Sequence, residues 1–157
     1  MLLSTNFEVI PLIDVPAEKP NLSHQARRPV ILVVDDEQII ADTLTAVLCH
    51  SGFAAIAAYN GRAALDLAAV IPPELLITDI AMPKMNGIEL ALSVVRTIPD
   101  CKVLLFSGHA SHVDLLEARK AGHYFPLLSK PLHPTEMLGE VTKALNLHKT
   151  SPAQLLS

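Results

Sequence analysis

The sequence predicts an α/β protein, a doubly wound five-stranded parallel sheet with strand order 2-1-3-4-5 and a helix after each strand. Three observations carry that expectation. The apolar stretches are short aliphatic runs rather than alternating ones: half the chain is hydrophobic, only 4% is aromatic and Trp is absent. Such runs suit strands buried on both faces. Their ends fall near residues 35, 58, 79, 107 and 129, in steps of 21 to 28 residues. Each step is the size of one strand plus one helix, which implies a parallel sheet with right-handed crossovers. Finally, the polar residues with chemistry to offer sit at those strand ends, the edge where open parallel sheets bind ligands.

Val30-Ile31-Leu32-Val33-Val34 is the first run, and it stops at Asp35-Asp36-Glu37. Ile40, Leu44, Val47 and Leu48 then recur with helical period up to Gly52. Phe53 to Tyr59 reads as the second strand, and Asn60 offers an N-cap to a helix with Leu65, Ala68 and Ala69 inward, ended by Pro72-Pro73. Leu75 to Asp79 is the third strand. Asn86 with Glu89 three residues on resembles a capping box, ahead of a stripe of Ile88, Leu92 and Val95. Lys102 to Phe106 leads into Ser107-Gly108; Ser111 starts the fourth helix and Gly122 ends it. Strand five, Tyr124 to Leu128, contains Pro126, which cannot donate to a ladder and marks an edge strand. Ser129-Lys130-Pro131 follows it. Pro134 then opens a last helix with Leu138, Val141 and Leu145 inward.

These boundaries divide the 157 residues into an extension over 1–29, one domain over 30–148 and a tail over 149–157. The extension holds Pro11, Pro16, Pro20 and Pro29, with a short strand from Phe7 to Ile13 as its one candidate element; the default is a flexible segment. The N-terminus does not read as a secretory signal. Mean hydropathy is high at +0.38, and Thr43 to Gly61 carries no formal charge over 19 residues. His50-Ser51-Gly52 breaks that stretch, so it reads as helix, turn and strand rather than as a membrane span. Cys49 and Cys101 have no metal spacing and suit buried thiols in a reducing cytosol. The net charge of −4 argues against direct nucleic-acid binding.

With strands ordered 2-1-3-4-5, the ends of strands one, three, four and five adjoin. One pocket would hold Asp35, Asp36, Asp79, Ser107 and Lys130. Three carboxylates repel unless a cation compensates, and oxygen donors without His or Cys suggest Mg²⁺. Asp79, central among them, would be a carboxylate nucleophile toward a phosphoryl group, with the ammonium and hydroxyl meeting its oxygens.

Val33-Val34-Asp35-Asp36-Glu37, Asp79-Ile80-Ala81-Met82-Pro83-Lys84-Met85-Asn86-Gly87, Ser107-Gly108 and Ser129-Lys130-Pro131 occur in order and at spacing that resembles the receiver domain of two-component response regulators. The likeness covers roughly Pro29 to His148 and implies a flavodoxin-like (βα)5 fold in a stand-alone receiver. It implies Asp79 as phosphoacceptor, and Mg²⁺ held by Asp35, Asp36, Asp79 and the backbone carbonyl of Ala81. It further implies Ser107, Lys130 and the backbone N–H of Gly108 as phosphoryl contacts, and a cis Lys130-Pro131 bond. There are two departures: the aromatic that most receivers carry three residues before the lysine is Leu127 here, with Tyr124 and Phe125 earlier, and the segment from Gly122 to Lys130 is one residue longer than usual. Where phosphoryl lifetime varies in the family, this chain has Ala81 and His109; His109 reads as a solvated loop residue, and its i, i+3 spacing to His112 lacks a third metal ligand.

The function expected is therefore a cytoplasmic phosphorylation switch rather than an enzyme. A histidine kinase or phosphotransfer protein would supply the phosphoryl group. A face including Leu115, Leu116, Leu127, Leu132 and Met137 would meet a downstream protein or a second copy, since no output domain is recognisable in 149–157. Two alternatives remain. One is a phosphorylation-independent interaction module. The other, a Mg²⁺-dependent phosphatase with an aspartyl nucleophile, is disfavoured because Ala81 stands where a second acid is needed.

Overall fold

The computed structural model describes residues 27–108 and 112–147. Within them five strands alternate with five helices. These are β1 (Val30–Val34), α1 (Gln38–His50), β2 (Ala54–Ala58), α2 (Gly61–Val70), β3 (Leu75–Asp79), α3 (Gly87–Thr97), β4 (Lys102–Ser107), α4 (His112–Lys120), β5 (Leu127–Ser129) and α5 (Pro134–Ala144). The sheet runs β2-β1-β3-β4-β5 and is parallel throughout. Expected order and observed order agree, and β2 and β5 are its two edges.

Strand alternation divides the core into two layers. Leu32, Val34, Leu76 and Leu105 face α2, α3 and α4, whose Ala64, Ala68, Ile88, Ala91, Val94 and Ala118 close over them. Ile31, Val33, Ile77, Leu104 and Phe106 face α1 and α5, packing on Leu44, Leu48, Met137 and Val141. Because both faces are covered, β1 and β3 have no polar face to write into the sequence, which explains their unbroken aliphatic runs.

The caps follow local chemistry. Asn60 accepts from the Ala63 N–H at 2.8 Å, and Asn86 accepts from Ile88 and Glu89 at 3.0 and 2.8 Å. The expected capping box is only half formed, since Glu89 meets the Asn86 side-chain amide at 3.5 Å instead of its backbone. Gly122 follows α4 with φ of 83°, the left-handed position that glycine occupies without strain.

Four expectations need correction. β5 covers Leu127–Ser129 only, not Tyr124 to Leu128. Pro126 has no N–H to pair; its carbonyl accepts from Leu105 at 2.9 Å, and the preceding His123 and Phe125 stack on each other. In α2, Ala69 is exposed while Ala64 and Ala68 are buried. In α3 the innermost stripe is Ile88, Ala91 and Val94, with Leu92 and Val95 at its flanks. The small Ala91 can sit nearest the sheet, leaving the bulkier neighbours to cover the sides. Cys49 is exposed rather than buried; Cys101 is buried, and burial pushes its thiol up to about 11. Among the described residues no helix is long and apolar enough to cross a membrane. The Phe7–Ile13 strand, His109, Ser111 and the 149–157 tail lie outside the described residues.

Candidate functional site

At the carboxyl edge of the sheet, consecutive strands deliver their last side chains to one place. β1 ends at Val34, so the next two residues, Asp35 and Asp36, enter the loop, and β3 ends in Asp79 itself. One carboxylate oxygen from each of Asp35, Asp36 and Asp79 lies within 4.8 Å of the others. Asp35 is fully buried, Asp79 is 5% exposed and Asp36 faces solvent. Asp35 is held from two sides: Oδ1 accepts from the Glu37 N–H at 2.9 Å, and Oδ2 meets Lys130 Nζ at 3.1 Å.

Lys130 enters from the loop after β5. Its N–H donates to the Ser107 carbonyl at 3.0 Å, which continues the β4–β5 ladder and sends the side chain back over the carboxylates. Nζ stands 3.4 Å from Asp79 Oδ2, bridging it to Asp35. Ser107 ends β4 as a buried hydroxyl, in register with Ser129. Gly108 and Ala81 follow β4 and β3 as exposed loop residues. The Lys130-Pro131 bond is cis, as the resemblance implies.

The electrostatics leave an excess of negative charge. Burial pushes the Asp79 carboxyl above the usual range against the pull of Lys130, and repulsion from Asp35 and Asp36 adds to the rise. Burial works to lower Lys130, but its hydrogen bond to Asp35 and the charges of Asp79 and Asp35 outweigh that and hold the ammonium up. Among the described residues one cation faces three carboxylates, which leaves two negative charges in excess. Oxygen-only donors in this number fit a hard dication such as Mg²⁺, and nothing in the set suits a softer metal.

The sequence-based output face does not hold together as one surface. Leu115 and Leu127 are half-buried against the α2–α4 layer, with Leu116 half exposed beside them. Leu132 lies on the opposite layer with α1, and Met137 is fully buried there beneath α5. The sheet separates the two groups, because Leu132 and Met137 follow the chain across β5 to its other side.

Sequence reasoning also missed three features. The Thr78 hydroxyl donates to the Asp79 carbonyl at 2.9 Å. Phe106 lies against Lys130. Ile39, 82% exposed at the start of α1, lines a cleft of about 510 Å³ with Ile40, Leu44, Phe106, Lys130 and Leu132. An isoleucine directly after Asp35-Asp36-Glu37-Gln38 was the one visible signal for this cleft; α1 supplies one wall, and the facing wall comes from Phe106, Lys130, Pro131 and Leu132, far along the chain.

Residues 31–142 match the family model described as response regulator receiver domain. The chain is 31% identical over 130 residues to the DNA-binding response regulator MtrA of Mycolicibacterium smegmatis, covering 83% of this chain and 56% of that protein. It is 34% identical over 115 residues to the response regulator receiver protein CpdR of Brucella abortus, covering 73% of this chain and 95% of CpdR. The chain thus spans little more than half the length of the MtrA relatives and nearly all of CpdR. Among solved structures, a CheY-like receiver domain protein from Methanospirillum hungatei superposes with a TM-score of 0.72 at 26% identity, covering 77% of this chain and 96% of that one.

Proposed function

Because this chain belongs to the response regulator receiver domain family of two-component systems, we propose that it works by accepting a phosphoryl group on Asp79. The observation that supports this most is the convergence of Asp35, Asp36, Asp79 and Lys130 from three separate stretches of the chain. Receiver domains are in general phosphoacceptor switches that take their phosphoryl group from a histidine kinase, and the donor here would be such a kinase or a phosphotransfer protein.

An Asp79 carboxylate oxygen attacks the phosphorus of the donor's phosphohistidine. The new O–P bond forms as the N–P bond breaks, and the imidazole leaves with the electron pair and is then protonated by solvent. Lys130 meets the charge on the phosphoryl oxygens, and the Ser107 hydroxyl and Gly108 N–H donate to them. Asp35, Asp36, Asp79 and the backbone carbonyl of Ala81 would hold Mg²⁺, which when bound screens the carboxylates from one another and from the incoming oxygens. Residues 30–148 form the unit that carries this chemistry.

Phosphorylation replaces one carboxylate charge by a group carrying about −1.5 to −2. Lys130 and Ser107 are tied to β5 by the Lys130–Ser107 backbone bond, so that change reaches β5 directly. The surface that Leu115, Leu116 and Leu127 share between α4 and β5 is the one we assign to the downstream partner or a second copy. The aromatics of this edge, Tyr124 exposed and Phe125 stacked on His123, precede β5 and flank that surface.

Loading with a small acyl-phosphate donor and Mg²⁺, followed by intact-mass measurement, tests the reading. A gain of one PO₃ unit, acid-stable and base-labile, supports it. Absence of the adduct would favour the phosphorylation-independent module, and rapid turnover of many phosphoesters the enzyme. Ile39 borders a cleft that Lys130 also lines, and we assign that cleft to the protein donor. Ile39→Asp is therefore expected to slow transfer from the cognate protein donor about tenfold, as loss of a well-placed apolar anchor does. Loading from the small donor should be unaffected; equal slowing of both would place Ile39 outside the docking surface.

A further inference from the structure

Lys130 has a third neighbour besides the two carboxylates. Its Nζ lies 4.9 Å from the centroid of the Phe106 ring, within the distance at which the negative face of an aromatic ring attracts a cation. The ring is fixed. Phe106 is 1% exposed, in register with Asp79 on β3 and Leu128 on β5, and its carbonyl accepts from the Ile80 N–H at 3.2 Å. Lys130 is rooted one residue further along β4, through its bond to the Ser107 carbonyl. Only 20% of the lysine side chain is exposed, so little water competes with the ring for the ammonium.

The carboxylates alone do not hold the ammonium in a place that survives the reaction. Asp35 Oδ2, at 3.1 Å, is buried and draws the cation toward β1; Asp79 Oδ2, at 3.4 Å, belongs to the group whose charge and shape change when it accepts a phosphoryl group. The ring face changes in neither respect. We propose that Phe106 is a positioning residue of the acceptor site: its ring holds the Lys130 ammonium at the end of β4, between the strands that carry Asp79 and Lys130, so the cation passes from the Asp79 carboxylate to the phosphoryl oxygens without swinging to solvent or collapsing onto Asp35. The inference rests on Asp79 being the phosphoacceptor. It concerns a contact that neither the strand pattern nor the acidic cluster announces, since Phe106 reads in the sequence as one more core residue of β4.

Two measurements test it. In the unmodified protein, ring-current shielding should move the Lys130 ε-methylene protons upfield, and Phe106→Leu should return them to ordinary positions. Unshifted protons in the wild-type protein would overturn the proposal, whether or not phosphorylation occurs. For the rate, Phe106→Leu keeps an apolar side chain but removes the π face, and small-donor loading should fall about tenfold, the scale of a partly desolvated cation–π contact. Phe106→Tyr should restore most of that rate. In a Lys130→Ala background the leucine substitution should cost nothing further, because the ring acts through the lysine. Equal losses in both backgrounds would make Phe106 a core filler and overturn the proposal. A wild-type protein that takes up no phosphoryl group would instead defeat the acceptor reading, while the proton shifts still decide where the lysine sits.

Discussion

Asp79→Asn is expected to abolish phosphoryl uptake completely while raising the melting temperature of the metal-free protein at neutral pH. The first effect follows from the nucleophile: an amide oxygen cannot form an acyl phosphate, and neither Asp35 nor Asp36 ends a strand at the centre of the cluster. The second follows from the charge. Burial and the neighbouring carboxylates hold the Asp79 pKa above its unfolded value even after the pull of Lys130 is counted. A carboxyl raised in this way contributes stability that is fully present below the unfolded carboxylate range near 4 and is lost as pH rises through the folded value. At pH 7 the ionised group therefore works against the fold, and a neutral asparagine of nearly the same shape removes the strain. Melting curves with a chelator present, at pH 4 and pH 7, check the sign. The variant should gain on the wild type as pH rises, and Mg²⁺ should narrow the gap by stabilising the wild type more. A variant that melts lower at pH 7 would mean that Asp79 anchors Lys130 more than it is repelled by its neighbours. Residual uptake in the variant would move the acceptor elsewhere.

How much of this was legible in the sequence depends on distance along the chain. Strand ends announce themselves locally, because an aliphatic run that stops at Asp35 or Asp79 needs no partner to be seen. Regular spacing then implied a parallel sheet, and the sheet order placed Asp35, Asp36, Asp79, Ser107 and Lys130 at one edge, where the structure has them. What stayed hidden was the side of the sheet on which the later residues fall. Leu132 and Met137 look like partners of Leu115 and Leu127 when apolar positions are read along the chain. Crossing β5 puts them in the other layer. The β5 boundary was misplaced for a related reason: Tyr124 and Phe125 have strand-like character, but pairing with β4 begins only at the Pro126 carbonyl. Phe106 carried no signal at all, since its contact with Lys130 depends on a register between strands 20 or more residues apart.

Gly87 carries the largest expected loss of stability, and the reason is closeness rather than flexibility. A Cβ placed there would overlap the Asp79 carbonyl oxygen, and would stand 2.8 Å from the carbonyl carbon and 3.1 Å from the Ile80 Cα. All three obstacles are backbone, so no side chain can turn away to relieve them. The same glycine donates its N–H to the Ile80 carbonyl at 2.9 Å, and the Thr78 hydroxyl holds the Asp79 carbonyl from another side. Gly87→Ala must therefore either lift the start of α3 off β3 or rotate the Asp79 peptide, and both break bonds that fix the acceptor carboxylate. The cost should be about 2–4 kcal/mol, the upper range for overpacking at a rigid contact. Phosphoryl uptake should fall as well in the fraction that remains folded, because the carboxylate is no longer held beside Lys130 and the other two carboxylates. Gly139, in the middle of α5 with nothing within 4 Å of an added methyl, is the control. There the same change should stabilise by up to about 1 kcal/mol, as alanine does in a helix interior, and leave uptake alone. Denaturant melts of the two variants beside the wild type measure the difference. Comparable stability in all three would mean that β3 and α3 are free to separate, and that the acceptor aspartate is not held by the contact described.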